Sequence, residues 1–533
     1  MVAGVFVSSV ISTVLSASVL AAPAPAAEPD PATPPDGRGA AAAEAALTEV
    51  RHLVEGLTSA LPGTEPEPTS DLTLALRDLA LLKDDLPVWL RPLAEGYLAR
   101  PTDGPADQFH DGYRTDEVHK VCSDAVCVHY VTTTSDAVPA ADGDDDNDVP
   151  DYVDFALATM TEVHDTYVAA GYRPPRGDGR RGGDAKPDIY LADVGAQRLY
   201  GYCATDEDFP LTGPQNAWGY CVLDNDYRPQ QFPTNSPADN FRVTAAHEYF
   251  HAVQFGYDIS EDAWIMEATA TWAEDEVYDR VDDNVQYLRY GPMRLPARSM
   301  DQFDGLFHYG TWSFFRHLTE RFRASRGGMP VLVRDLWRRL DDAAGGPDDY
   351  SLEGLRRVLR QRDLSIREAF AGYAVANRMP DRSYEESRAH DYPSARLAGR
   401  ANLSPSRRAV STSMRLDHLA AGTLRFVPSR RLAASDWKLR LILDMANRWK
   451  GTAAVVTIKP RTGAPRTKTA ALDRNGDASL RVAFARKRTK WVEVTLVNAS
   501  DHFRCNRGTR FSCGGVPRFD GSLQRISAWA FRP

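Results

Sequence analysis

The chain has 533 residues, which is too long for one ordinary domain and favours three or four segments. Hydrophobic residues make up 43% of it, which excludes an intrinsically disordered protein and allows sizeable buried cores. The formal net charge is −10, yet residues 405–533 contain 26 Lys and Arg against 8 Asp and Glu, a net charge of +18. The other residues therefore carry −28, and this asymmetry predicts an anionic partner for the basic part.

The first 45 residues are typical of an exported protein. Residues 1–27 are apolar, rich in small side chains and end in Ala-x-Ala-like sites, which predicts a secretory signal peptide. No Lys or Arg precedes Arg38, so the basic start of such a peptide is missing, and an uncleaved N-terminal anchor is the alternative. Residues 28–45 are rich in Ala and Pro and predict a flexible linker. We expect a secreted or extracellular protein, including one associated with the cell wall.

The next two segments differ in their predicted secondary structure. Residues 46–104 predict helices, with leucines at helical spacing over 72–82, and form either a propeptide or the first layer of the domain that follows. Residues 105–390 mix strands with helices and predict an α+β domain. The strands are predicted at 128–133, 188–193 and 218–223, and the helices at 152–170, 241–255, 263–278 and 309–322.

An acidic loop at residues 142–154 precedes the first of these helices. Ca²⁺ binds six to eight oxygen ligands, which alternating Asp and Asn supply in loops of the EF-hand kind. One register of ligands is Asp145, Asn147 and Asp151, and another is Asp142, Asp144 and Asp146. Neither register has a Glu at the twelfth position, so the alternative to a calcium site is a solvated turn that caps the helix at Tyr152.

An H-E-x-x-H motif extends from His247 to His251. Residues four apart lie on one face of a helix, so both imidazoles can bind one metal ion. Glu248 lies beside that face, where it can accept a proton from a water activated by the metal. The motif alone is only moderately specific, and its alternative is a His pair on a solvated helix face.

The predicted helix at 263–278 provides a third ligand. Zinc in a catalytic site takes three protein ligands and leaves one position for water. Glu267 stands on an otherwise apolar stretch, where an unpaired carboxylate would be costly, and an antiparallel helix would present it to both imidazoles. The sequence therefore predicts a zinc site of His247, His251 and Glu267, with Glu248 as the catalytic base.

These motifs resemble a known class of enzymes. Residues 245–255 and 264–268 are similar to gluzincin-type zinc metallopeptidases, and more closely to a largely uncharacterised family of exported bacterial metalloproteases. The resemblance extends to 188–193, 199–203, 222–227 and 309–312, and covers most of 70–385. It implies a zincin-like fold, the same three ligands and the same base. Since the spacing from His251 to Glu267 is shorter than in the thermolysin-like branch, no other functional residue of that branch is carried over.

Further residues are candidates to assist the zinc chemistry. A peptidase needs a donor that stabilises the oxyanion, and gluzincins often use a Tyr or His beyond the third ligand. Of His308 and Tyr309 we favour Tyr309, the alternative being an aromatic side chain packed at a helix start. Thr271 and Glu274 share the helix face of Glu267 and are candidates to orient the imidazoles.

Six cysteines fall into three close pairs. An even number with an export signal predicts disulfides, although 15 connectivities are open and unpaired buried thiols are the alternative. Local pairing is favoured because short loops are the easiest to close. The predicted pairs are Cys122 with Cys127, Cys203 with Cys221 and Cys505 with Cys513.

Residues 405–533 contain short β runs separated by turn residues and predict an all-β sandwich-like domain. Its positive charge predicts contact with an anionic cell-surface polymer, the alternative being ordinary solubility charge. It lacks an aromatic-rich nucleic-acid motif, so no specific nucleic acid is expected, and we expect a monomer.

The sequence leaves two main hypotheses for function. The first is a secreted zinc-dependent metallopeptidase that hydrolyses protein or peptide substrates, and hydrolysis of a non-peptide substrate by the same water chemistry is a variant of it. The second is a non-catalytic extracellular binding or adhesion protein on a zincin scaffold. The presence of Glu248 favours an enzyme, since a scaffold has no use for a base there.

Overall fold

The computed structural model of the protein describes residues 39–59, 72–103, 112–143, 147–209 and 213–533. The predicted signal peptide, the linker up to residue 38 and Asp144–Asp146 of the acidic loop lie outside the described residues. None of the helices in the described ranges has the length and apolar character needed to cross a membrane.

Three helices begin the described chain: α1 Ala40–Ser59, α2 Leu72–Leu82 and α3 Arg91–Tyr97. The predicted helix over 72–82 is confirmed, and its leucine spacing gives the reason, because Leu76 and Leu79 are fully buried. Helix α2 packs against α1 on one side and against a strand of the first sheet on the other. It is therefore part of the same core as the following segment.

The first sheet has five strands in the order β1-β2-β3-β5-β4. They are β1 His119–Cys122, β2 Cys127–Tyr130, β3 Asp188–Ala192, β4 Gly201–Ala204 and β5 Tyr220–Asp224. The three central strands are parallel and the two edge strands are antiparallel to their neighbours. Every residue of β2, β3 and β5 is buried, because helices cover the sheet.

The helices of the middle segment are α4 Asp151–Ala170, α5 Pro237–Asp258, α6 Ala263–Val277, α7 Trp312–Arg321, α8 Val331–Trp337, α9 Leu352–Arg360, α10 Ile366–Ala376 and α11 Pro380–Ser383, with a small hairpin of β6 Ser325–Arg326 and β7 Met329–Pro330. Helix α5 packs on the first sheet, and α6 packs on α5. The predicted helix at 309–322 begins with a 3₁₀ turn at Tyr309–Thr311 and is α-helical only from Trp312.

Most of the remaining chain forms two sheets. The strands are β8 Gly399–Leu403, β9 Ala409–Leu416, β10 Ala420–Pro428, β11 Lys438–Asp444, β12 Thr452–Pro460, β13 Arg466–Thr469, β14 Asp477–Ala483, β15 Thr489–Asn498, β16 Phe503–Arg504, β17 Val516–Pro517 and β18 Ser522–Phe531. One sheet has the order β13-β12-β15-β10-β8 and the other β14-β11-β18-β9. Alternate residues of β11 and β18 share a core with β10, β12 and β15. The chain thus combines a mixed helix and sheet region with a two-layered β region.

The two-layered β region also shares a core with the helices. Helix α10 packs against β12 and β15, and side chains such as Ala421, Val455 and Val497 belong to the same hydrophobic cluster as the first sheet. The other face of these strands contributes to the core within the β region. The sequence predicts the β region but contains no signal for this shared core.

All three predicted disulfides are confirmed. They join Cys122 to Cys127, Cys203 to Cys221 and Cys505 to Cys513, and the structure has no free cysteine among the described residues. The second of them links β4 to β5 beneath α5. Three disulfides are typical of proteins in oxidising compartments.

Candidate metal centre

The two histidines of the motif lie on α5. This helix begins at Pro237, and the side chain of the preceding Ser236 caps it by accepting a hydrogen bond from the Asp239 N–H. Helical spacing places the rings of His247 and His251 side by side, with centroids 4.8 Å apart. Their Nε2 atoms are 3.1 Å apart. His251 is fully buried and His247 is 8% exposed, at the edge of a cleft.

Glu267 lies on α6, which packs against α5 and directs this carboxylate at the two rings. Its Oε2 is 3.4 Å from Nε2 of His247, and its Oε1 is 3.2 Å from Nε2 of His251. The side chain is fully buried, and neither oxygen has a hydrogen-bond partner among the described residues. The three predicted zinc ligands therefore converge on one point.

The opposite nitrogen of each ring is held by a polar side chain. Nδ1 of His247 is 2.6 Å from Oε1 of Glu274, and Nδ1 of His251 is 2.8 Å from Oε1 of Gln254. The Gln254 amide donates to the Met266 carbonyl and to Oγ1 of Thr269, which fixes its oxygen towards the ring. Both Nδ1 atoms are thereby hydrogen-bond donors, and the lone pairs lie on the two facing Nε2 atoms.

Of the two residues predicted to orient the imidazoles, Glu274 contacts His247, whereas the Thr271 hydroxyl has no hydrogen-bond partner among the described residues. Gln254 was not predicted. Its position three residues after His251 on the same helix is the signal that could have found it.

The donor set fits a zinc ion. Two imidazole nitrogens and one carboxylate form a combination found in catalytic zinc sites, and no protein cation lies among them in the described residues. In the absence of a metal, burial acts to lower the pKa of His247, but the nearby carboxylates of Glu267 and Glu274 outweigh it and hold that pKa well above its ordinary value. The buried carboxylate thus requires either an added proton on the histidines or a divalent cation, and the protein atoms fit both.

Glu248 lies beside the two histidines and lines the same cleft. It is 7% exposed, and burial raises the pKa of its carboxyl above the ordinary value. The hydroxyl of Thr73 on α2 donates to its Oε2 at 3.1 Å and accepts from the Cys203 N–H. Sequence reasoning did not identify Thr73, because 175 residues separate the two partners and no local pattern connects them.

The cleft has a volume of about 200 Å³. Its walls are formed by Leu72, Arg198, Leu199, Tyr200, Gly201, Val243, Thr244, His247, Glu248, Glu274, Asp283, Tyr287, Leu306 and Tyr309. The Tyr309 ring stacks on Tyr287 and lies 6.1 Å, centroid to centroid, from the ring of His247. His308 is instead fully buried against Phe303, and burial lowers its pKa to about 4. Tyr309 is therefore the one of this pair that faces the cleft.

The described part of the acidic loop is held by hydrogen bonds between its own residues. Oδ1 of Asn147 accepts from the Val149 N–H, and Oδ1 of Asp151 accepts from the Gly143 N–H. Asp145, the third predicted calcium ligand, lies outside the described residues. Calcium binding by this loop stays a prediction.

Comparison with known proteins does not assign this chain to a family. No family model and no curated protein matches the sequence. Among solved structures, the periplasmic lysozyme inhibitor PliG of Salmonella Typhimurium is 12% identical and matches over 25% of this chain and 100% of its own, with a TM-score of 0.15. The pre-peptidase C-terminal domain of a Bacillus anthracis collagenase is 8% identical over 26% of this chain and 97% of its own, with a TM-score of 0.14. The copper-binding protein CorA of Methylomicrobium album BG8 is 7% identical over 26% of this chain and 98% of its own, with a TM-score of 0.16. Likenesses of this size carry no argument about fold or function.

Proposed function

We propose that the protein is a zinc-dependent peptidase of the zincin type that acts outside the cell. The observation that carries this proposal is the convergence of His247, His251 and Glu267 on one point, with Glu248 beside them on the wall of a cleft. The three disulfides support an extracellular location, because such bonds persist in oxidising compartments.

The residues have separate roles in the proposed reaction. A zinc ion held by the three ligands would activate a water and polarise the scissile carbonyl. Glu248 would take the proton of that water and deliver it to the leaving amine. Tyr309, which also lines the cleft, would donate a hydrogen bond to the oxyanion. Glu274 and Gln254 would hold the imidazoles in the orientation that keeps both Nε2 lone pairs on the metal.

The basic β region supports a further part of the proposal. Residues 405–533 carry the +18 charge that predicts contact with an anionic cell-surface polymer. Such contact would hold the enzyme near a surface, while the substrate would be a protein or peptide that enters the cleft. The proposal includes no specific nucleic acid partner.

The substitution Glu248→Gln tests the enzyme hypothesis. It leaves the three ligands in place, so the variant should bind about one zinc per chain, as the wild type does. An amide cannot accept the proton, so hydrolysis of a peptide library should fall by roughly 10² to 10⁴. Zinc content by atomic emission and cleavage by mass spectrometry measure the two outcomes.

Two further variants complete the test. Glu117→Gln, at an exposed residue of the first strand region, is the matched control and should behave as wild type. His251→Ala should lose the metal itself, since two protein ligands make a poor site. A wild type that binds zinc but cleaves nothing would favour the binding or adhesion hypothesis, and a wild type that binds no zinc would contradict the metal centre.

A further inference from the structure

A second group of carboxylates surrounds Arg316 of α7. Asp275, near the end of α6, has Oδ2 3.0 Å from Nη1 of this guanidinium, and Glu320 Oε1 is 3.2 Å from its Nε. The carboxylates within ion-pairing distance of Arg316 are those of Asp275, Glu276, Asp279, Glu320 and Glu386. Five carboxylates thus share the guanidinium of one buried arginine, and Arg316 is 8% exposed.

A sixth carboxylate, that of Asp282, lies beside this group. The imidazole of His390 lies next to it, with Nε2 3.2 Å from Oδ1. The ligand oxygens of Asp275, Asp282 and Glu386 all lie within 4.8 Å of one another. Like charges this close repel strongly in a poorly solvated site, and even without the exposed Asp279 the one guanidinium of Arg316 cannot balance the carboxylates around it.

Asp275 is the member whose burial demands a partner. It is 2% exposed, and neither of its oxygens has a hydrogen-bond partner among the described residues, although Arg316 lies close to one of them. Burial raises the pKa of this carboxyl well above its ordinary value despite the opposing effect of Arg316. A buried carboxylate in this state is costly unless a cation or a proton compensates it.

A neighbouring side-chain amide, that of Asn284, also lacks hydrogen-bond partners among the described residues. Asn284 is 1% exposed, and neither its oxygen nor its nitrogen has a hydrogen-bond partner among the described residues. It lies close enough to Asp275 to lower the pKa of that carboxyl, an effect smaller than those of burial, Arg316, Glu386 and Glu276. An amide oxygen is a ligand that Ca²⁺ accepts.

We propose that Asp275, Asp282 and Glu386 form a calcium site, with the Asn284 amide oxygen as a fourth ligand. All donors are oxygens, which hard cations prefer, and the absence of imidazole or thiolate among the three carboxylates distinguishes the site from the zinc centre. Ca²⁺ also tolerates irregular geometry and fills its remaining positions with water. This site is separate from the predicted acidic loop at 142–154.

The position of the site gives it a structural role. Asp275 belongs to α6, Asp282 and Asn284 to the segment that follows it, and Glu386 to the segment after α11. Asp283, between two of the ligands, lines the cleft of the zinc centre. A cation here would tie three segments together and hold one wall of that cleft. The proposal concerns cation binding only and stands whether or not the protein is a peptidase.

Terbium luminescence on the full-length protein tests the proposal, since Tb³⁺ replaces Ca²⁺ at oxygen sites and is excited through nearby aromatic rings. Tyr392 is placed for this, because its hydroxyl donates to Oε2 of Glu386 at 3.0 Å. Chelator-washed protein, with and without one equivalent of zinc, should give a signal that Ca²⁺ displaces. Asp282→Asn and Glu386→Gln should each weaken Ca²⁺ binding by at least about tenfold, the scale on which even residues outside the ligand set act.

Two control variants separate the alternatives. Glu320→Gln, which contacts Arg316 but is not among the converging three, should bind Ca²⁺ as the wild type does. Asp151→Asn in the acidic loop should leave unchanged the part of the signal that Asp282→Asn removes. The proposal is overturned if wild type binds no Ca²⁺, in which case shared protons balance the cluster, or if Asp151→Asn rather than Asp282→Asn removes the binding. Because Asp275→Asn changes a buried residue and can impair folding, the decisive variant is Asp282→Asn, at a half-buried residue.

Discussion

At the scale of single residues, Thr73 connects the N-terminal helices to Glu248, the proposed catalytic base. Its hydroxyl donates to Glu248 and accepts from the backbone of β4, so one side chain links α2, the sheet and α5. The contact is buried, where a hydrogen bond to a carboxylate is strong. Within the proposed enzyme, Thr73 is a positioning residue that acts through Glu248.

Replacing Thr73 tests this role. Thr73→Val keeps the shape and removes the donor, and should lower kcat roughly tenfold, as expected for a lost hydrogen bond to a charged group. KM and zinc content should not change, because neither ligand nor cleft wall is altered. Thr73→Ser should restore kcat, and a Val variant with full kcat would show that the contact is only structural.

Tyr309 has a different part in the proposed reaction. Tyr309→Phe keeps the ring that stacks on Tyr287 and removes the hydroxyl, so the fold and the zinc content should be unchanged. Loss of one oxyanion donor should lower kcat by roughly 10² to 10³. Steady-state kinetics check this, with Tyr287→Phe as the matched control. An unchanged kcat would assign Tyr309 to packing alone.

The convergence of His247, His251 and Glu267 could be predicted because each residue follows from a local rule. Helical spacing places His247 and His251 on one face, and a lone carboxylate on an apolar helix requires a partner. Thr73 could not be predicted, since its contact depends on how α2 meets α5 across the fold. The burial of His308 could not be predicted either, because the sequence at a helix start does not show which of two adjacent residues faces a cleft.

At the scale of elements, the disulfide between β4 and β5 supports α5, the helix that carries His247 and His251. Sγ of Cys203 lies 2.9 Å from the carbonyl oxygen of Glu248, so the bridge contacts the backbone of the proposed catalytic base. It also closes a loop of 18 residues at the antiparallel edge of the first sheet. The bridge therefore contributes both to stability and to the position of α5.

Removing this disulfide has an expected cost. A closed loop of this size stabilises by about 3 kcal/mol in the chain-entropy account, so the double substitution Cys203→Ala with Cys221→Ala should lower the free energy of unfolding by that amount. The control is Cys122→Ala with Cys127→Ala, which opens a loop of only 5 residues away from α5. Urea denaturation measures both, and equal losses would show that contact with α5 and loop length do not matter.

Prediction of the elements from sequence succeeded where burial is one-sided or complete. Helix α2 has leucines at helical spacing, and strands β3 and β5 are short apolar segments that are buried throughout. Strands such as β1 and β9 were not predicted, because they are largely exposed and carry polar residues without a regular alternation. The partner of β9, which is β18, is also distant in sequence.

At the scale of the whole molecule, the β region holds the helix that carries Glu267. The carboxylate of Asp262, just before α6, accepts from the Cys513 N–H, and the Trp264 indole donates to Oγ of Ser512. Arg378, after α10, pairs with the buried Glu493 of β15. A change of composition near residue 405 reveals where the β region begins, but such contacts between segments leave no trace in the sequence.

The same interface contains a buried charge that makes stability depend on pH. His418, which is fully buried, is 2.8 Å from Asp301 through Nε2 and 2.6 Å from Asp520 through Nδ1, so both ring nitrogens donate to carboxylates. Burial acts to lower the pKa of His418, but Asp301 and Asp520 outweigh it and raise that pKa from 6.5 to about 10. A pKa raised by folding means that the imidazolium stabilises the fold fully below pH 6.5 and loses its contribution as the pH rises towards 10.

The substitution His418→Gln should therefore destabilise the protein in a pH-dependent way. The amide can donate to only one carboxylate and carries no charge, so the free energy of unfolding should fall most at about pH 5 to 6.5. The difference from wild type should then shrink as the pH approaches 10, because the wild type loses its own proton in that range. Urea denaturation at several pH values measures this, with the exposed His119→Gln as the control that changes little. A constant difference across the whole range would show that His418 acts through packing and not through its charge.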